Sequence, residues 1–164
     1  MRHGRSPNKR PAFRKGAAAR DACAARPGPG SLKSMKGFPP PRAIDVGSAT
    51  LSVHEAGAGP AVVLVHGWPE IAYSWKNQIG PLAAAGYRVI APDLKGFGAS
   101  SAPKDRALYD IRHMTDDLER LLDVLSVERA VFCGHDWGGA IVWPMAQLHA
   151  DRVAGVIGVC TPHR

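Results

Sequence analysis

One short stretch carries the residues best placed to do chemistry: Gly134-His135-Asp136-Trp137-Gly138-Gly139. It follows the apolar run Ala130 to Cys133 and precedes helix-compatible residues, so the chain must turn sharply from strand to helix at Asp136. Small residues at Gly134, Gly138 and Gly139 suit a tight, strained turn. The residue at the apex of such a turn is lifted out of the sheet into a site. A carboxylate there needs no base to activate it; it attacks an sp3 carbon and forms an enzyme ester. The plainer alternative is an Asp that caps the following helix, a common use of Asp at such a turn.

Two further segments accompany this turn. His66-Gly67-Trp68-Pro69-Glu70 follows the apolar run Ala61 to Val65, and Pro92-Asp93-Leu94-Lys95-Gly96-Phe97-Gly98-Ala99-Ser100 follows Arg88 to Ala91. Taken alone, His-Gly also marks any strand that ends in a turn. Asp93 follows a proline, and Asp in that setting commonly bonds its own turn backbone, so it reads as a carboxylate that orders the loop.

The three segments together, in this order and spacing, resemble the α/β-hydrolase-fold epoxide hydrolases over roughly residues 38 to 164. The resemblance covers only the N-terminal portion of such an enzyme. It implies Asp136 as nucleophile and the backbone N–H groups of Trp68 and Trp137 as the oxyanion hole. Donors there would stabilise charge that builds on oxygen when the ester carbonyl of Asp136 is attacked. His66, Gly67, Pro69, Asp93, Gly134, His135, Gly138 and Gly139 are expected as structural residues near the site. Haloalkane dehalogenases resemble the same elbow, but usually carry Asn where Trp68 stands. Fluoroacetate dehalogenases usually carry Arg where Trp137 stands. Trp68-Pro69 with Asp136-Trp137 favours the epoxide hydrolase branch, and Asp136 itself disfavours serine esterases.

The resemblance also implies parts beyond these segments. A cap domain supplies two tyrosines that protonate the epoxide oxygen, and later strands supply a relay acid and a histidine that activates water. Tyr73, Tyr87 and Tyr109 match none of the cap positions. Losing a general acid or base costs roughly 10²–10⁴-fold each, so the expectation is negligible turnover by this chain alone. Two alternatives stand beside it: a haloalkane dehalogenase-type hydrolase, and a non-catalytic hydrolase-fold module that pairs through an open sheet edge. No cofactor or metal is expected. The expected partner is a small-molecule epoxide, with no specific nucleic acid.

The elements that must position these residues alternate between strand and helix, which argues a mostly parallel α/β sheet. Arg42–Val46 and Ala49–His54 read as a hairpin around Gly47-Ser48. Ala61–Val65 reads as a strand covered on both faces, Arg88–Ala91 as another buried strand, and Arg129–Cys133 as the strand that feeds the elbow. Tyr73–Ala85 reads as a helix interrupted by Gly80-Pro81. In Asp110–Ser126, Asp110 is an N-cap and Ile111, Met114, Leu118, Leu121, Leu122 and Leu125 share one face. Gly138–His149 is the helix after the elbow, where Pro144 costs roughly 3 kcal/mol and should kink or end it. Val153–Val159 reads as a last buried strand. Against the eight strands the resemblance implies, it is about the sixth, which would leave it as an exposed apolar edge.

Composition divides the chain. It has 164 residues and a formal net charge of +7, but residues 1–42 hold eleven Lys/Arg and one acid, for +10. The remainder holds ten Lys/Arg and thirteen acids, for −3. Residues 1–36, rich in Arg, Ala, Pro and Gly, read as a basic disordered tail, and the resemblance makes 37–164 the N-terminal part of an α/β-hydrolase core domain. The tail lacks the continuous apolar run of a secretory signal. Its abundance of Arg and scarcity of acids are shared with transit peptides, but disorder is the preferred reading, and Met35 is an alternative start. Cys23, Cys133 and Cys160 form no metal or disulfide pattern. Cys133 and Cys160 lie in apolar runs and read as buried thiols, consistent with a reducing cytoplasm. No apolar run is long enough to span a bilayer.

Overall fold

A computed structural model of the chain describes residues 38–163. The expected basic tail, with His3, Cys23 and Met35, lies outside the described residues.

Six strands form one sheet in the order β1-β2-β4-β3-β5-β6. They are β1 (Pro41–Asp45), β2 (Thr50–Ala56), β3 (Ala61–Val65), β4 (Arg88–Pro92), β5 (Ala130–His135) and β6 (Val153–Val159). β1 and β2 form an antiparallel hairpin, and β2 is also antiparallel to β4. The pairs β3–β4, β3–β5 and β5–β6 are parallel. Gly47, at φ +87°, turns the hairpin, and the N–H of Val46 donates to Ala49 O at 2.9 Å.

Helices cover both faces. α1 (Lys76–Ala84), entered through a 3-10 turn at Ala72–Trp75, packs on one side. α2 (Ile111–Val124) and α3 (Trp137–Leu148) pack on the other. Strand alternation divides the core accordingly. Val62, Leu64, Val89, Ala91 and Cys133 face the α1 side, with Trp75 and Ile79. Val63, Val65, Ile90 and Phe132 face α2 and α3, with Leu118, Leu121, Ile141 and Met145. A strand buried on both faces has no polar side to show, which is why β3 reads as an unbroken apolar run.

α2 begins as its sequence dictates. The Asp110 carboxylate accepts the His113 N–H at 2.9 Å, a side-chain cap. It ends where Ser126 takes φ +54°, with the Val127 N–H returning to Leu122 O at 2.8 Å.

Three expectations need correction. α1 runs on through Gly80-Pro81 and α3 through Pro144, so neither proline ends its helix. β6 is not buried, because it is the outer strand of the described sheet; Ile157 is 51% exposed. Cys160 is exposed, because the chain leaves β6 through a left-handed residue at that position, φ +58°. Cys133 is buried as expected, and burial pushes its thiol pKa up. Among the described residues no helix is long and apolar enough to cross a membrane.

Candidate active site

β3 neighbours both β4 and β5: the chain leaves β3 for β4 on one side, and the connection after β4 crosses back to β5 on the other. A crevice opens at such a switch point. The loop after β3 and the elbow after β5 meet there.

Asp136 sits between β5 and α3 at φ +51°, ψ −117°. A non-glycine residue held in so sparsely populated a region costs of order 1–3 kcal/mol and must be held by its surroundings. Its N–H donates to Val159 O at 3.2 Å. Its carbonyl accepts the Ala140 N–H at 3.2 Å and the Thr161 hydroxyl at 2.7 Å. The glycines are required by close approach. A Cβ at Gly138 would lie 2.1 Å from Val65 O, and one at Gly134 would lie 2.4 Å from the backbone of Gly138. At Gly139 it would meet the Thr161 Cβ at 2.5 Å. Asp136 makes no side-chain capping hydrogen bond to α3, so helix capping does not account for it.

The loop 66–70 delivers donors to this carboxylate. His66 is buried; its Nε2 accepts the Leu94 N–H at 2.9 Å, which leaves Nδ1 as the donor to Gly67 O at 2.8 Å. Burial lowers its pKa and keeps the ring neutral, outweighing its own bond to Gly67 and the nearby Asp93 and Glu70 charges. A Cβ at Gly67 would stand 2.7 Å from the Asp136 Cβ, so only glycine lets the loop come this near. The Trp68 N–H then donates to Asp136 Oδ1 at 3.0 Å. Pro69 follows Trp68 through a cis peptide bond.

Together the N–H groups of Trp68 and Trp137 hold the Asp136 carboxyl pKa below its ordinary value, with a smaller contribution from His135 and against some desolvation. The side chain is therefore a carboxylate at neutral pH. Both indoles project into solvent, Trp68 60% and Trp137 63% exposed. An apolar cavity of about 350 Å³ adjoins Trp137, lined also by Gly67, Leu94, Phe97, Tyr109 and Met114 among others.

His135 stands beside the nucleophile with Nδ1 3.2 Å from Glu70 Oε2, and that same oxygen accepts the Gly67 N–H at 3.3 Å. Burial raises the Glu70 pKa, but these two partners more than offset it, and the net shift is downward. Asp93 is buried, and both its carboxylate oxygens are taken by backbone: Ala72 N–H at 2.8 Å and Ala99 N–H at 3.1 Å. It joins two loops beneath the site and has no hydrogen bond to Asp136.

The remaining described histidines lie elsewhere. His54 bonds Pro39 O, His113 pairs with Asp110, and His163 stacks edge-on against Trp143. Among the described residues no imidazole hydrogen-bonds the Asp136 carboxylate. Asp116, Glu119 and His149 bring ligand-type atoms within 4.8 Å of one another where α2 meets α3. Arg152 Nη1, 3.9 Å from Glu119, already brings positive charge to that cluster. Two site residues escape sequence reasoning. Glu70 belongs to the His-Gly-Trp-Pro-Glu segment, but nothing in that pattern assigns it a partner. Thr161 bonds the elbow across 25 positions, and its only sequence signal is a Thr-Pro turn after a strand.

Comparison with known proteins identifies the fold family. The family described as alpha/beta hydrolase fold matches residues 60–164. The chain is 51% identical over 128 residues to epoxide hydrolase A of Mycobacterium tuberculosis, covering 77% of this chain and 40% of that protein. It is 47% identical over 120 residues to an epoxide hydrolase of Caballeronia sordidicola, covering 72% and 36%. Among solved structures, epoxide hydrolase A from Mycobacterium thermoresistibile superposes with a TM-score of 0.75 at 48% identity, over 77% of this chain and 40% of that one. The chain thus spans about 40% of the length of the curated relatives it matches.

Proposed function

Since the chain belongs to the α/β-hydrolase fold family, we propose that it carries the nucleophile half of an epoxide hydrolase. The observation that carries this reading is the Asp136 carboxylate, raised on a strained elbow, with the Trp68 N–H donating to it at 3.0 Å and the neighbouring Trp137 N–H helping to hold its pKa down. One carboxylate oxygen attacks an epoxide carbon, forming a C–O ester bond. The ring C–O bond breaks, and its electron pair stays on the former ring oxygen, which takes up a proton from solvent water. Water then adds to the Asp136 carbonyl carbon. Charge builds on its oxygen, and the N–H groups of Trp68 and Trp137 stabilise it. Collapse releases the diol and restores the carboxylate.

No imidazole among the described residues hydrogen-bonds Asp136 to activate that water, so the 164-residue polypeptide on its own is read as forming the ester without turning over. Trp68, where a haloalkane dehalogenase usually carries Asn, favours an epoxide over a halide leaving group.

The test is intact and peptide mass spectrometry after incubation with styrene oxide. The expected result is one adduct on the peptide bearing Asp136, absent in Asp136→Ala, with little free diol. An unlabelled Asp136, or adducts spread over other nucleophiles, counts against the proposal. Steady diol formation would overturn the single-turnover reading, and halide release from a chloroalkane would favour the dehalogenase alternative.

A further inference from the structure

We propose that Thr161 is a positioning residue for the nucleophile, holding Asp136 by its backbone carbonyl; this rests on the reading of Asp136 above. The last residue of β6 and the turn after it grip the elbow from both ends. Val159 O takes the Asp136 N–H at 3.2 Å, and the Thr161 hydroxyl donates to Asp136 O at 2.7 Å. Of the bonds to that backbone, the hydroxyl's is the shortest, and it comes from a side chain outside both β5 and α3.

Thr161 is itself fixed. Its carbonyl accepts the Trp143 indole N–H at 3.0 Å, and its Cβ fills the space that Gly139 leaves open. A hydroxyl so placed does no proton chemistry. It holds a residue at φ +51° that would relax if released, and relaxation would carry the carboxylate away from the Trp68 and Trp137 donors. A misplacement of about 1 Å at a reacting group slows reaction by up to about a hundredfold.

The test uses the full chain with ¹³C-labelled aspartate carboxyls, titrated by NMR in wild type, Thr161→Val, Thr161→Ala and Thr161→Ser. Valine and alanine remove the hydroxyl and serine keeps it. The expected result is an Asp136 pKa that rises toward the ordinary value of about 3.9 in the valine and alanine variants and stays low with serine. Trp143→Phe, which removes the indole N–H donor together with part of the ring, should shift it the same way by less. If valine does not fold, the alanine and Trp143→Phe variants carry the comparison. A merely structural role would move the unfolding midpoint and leave the Asp136 titration unchanged; that result, or loss of the low pKa with serine, overturns the proposal. Labelling by styrene oxide separates the two readings. An unlabelled wild type with the expected titrations refutes the epoxide reading alone. A labelled wild type matched in rate by Thr161→Val refutes the positioning role.

Discussion

The buried ion pair between Lys95 and Asp117 lets a magnitude be worked from the structure. Lys95 follows β4 in the loop that lines the cavity, and its side chain is wholly buried. Its Nζ lies 2.7 Å from Asp117 Oδ2, off the axis of a good hydrogen bond, so the contact there is chiefly ionic. Ser48, in the β1–β2 turn, donates to the other carboxylate oxygen and accepts from Lys95 at 3.2 Å. Three segments distant in sequence thus share one charge pair. Lys95→Met keeps the bulk and strands a buried carboxylate, which costs about 3–5 kcal/mol. For a domain whose total stability is about 5–15 kcal/mol, that is a large share. With a urea m-value of about 2 kcal/mol/M, the unfolding midpoint should fall by about 2 M. Asp117→Asn added to Lys95→Met removes the second charge while leaving Ser48 an acceptor, so the double variant should recover at least half of the loss. Urea unfolding followed by far-UV circular dichroism measures all four corners of the cycle: wild type, Lys95→Met, Asp117→Asn and the double variant. A midpoint shift below about 0.5 M for Lys95→Met, or strictly additive effects, would refute the reasoning.

The other predictions concern pH and association. Burial lowers the His66 pKa, so the unfolded chain takes up a proton before the folded one does. Stability from this group is complete above the unfolded value of about 6.5 and is lost as pH falls from there toward the folded pKa. Urea midpoints from pH 8 to pH 5 should show this acid limb, and His66→Asn should abolish it. For Asp136 the reactive form is the carboxylate and its pKa is depressed. Labelling by styrene oxide should reach half its plateau at a pH below the ordinary carboxyl value of about 3.9; half-loss at a higher pH contradicts the proposed role of the N–H donors. Finally, β6 presents Ile157 and Val159 on an outer strand, and Ile157→Lys should reduce self-association measured by light scattering.

Much of the fold is legible in the sequence because its signals are local. β3 and β5 announce themselves as apolar runs because helices cover both their faces, and α2 declares its buried face and its Asp110 cap within a few turns. The hydrolase assignment is legible too, since the elbow needs glycines where backbones nearly touch, a demand visible in any sequence that meets it. What escapes a reading of the sequence depends on tertiary context. Cys160 looks like a core thiol until the chain turns left-handed at the outer strand. Pro81 and Pro144 look like breaks, yet both helices continue through them. Thr161 bonds a residue 25 positions away, and nothing near it in sequence names that partner.

The ladder between β3 and β5 pairs Ala61 with Ala130 and continues in step to Val65 with Gly134. Trp68 and Asp136 are simply the continuation of those two strands beyond their last paired residues. A slip of one residue would displace one end against the other by about 3.3 Å, more than the 3.0 Å bond between them can span. The depressed pKa of a single side chain is therefore in part a proofreading mark for strand alignment: in a misregistered chain, however compact and helical, this aspartate would lose the Trp68 share of that depression.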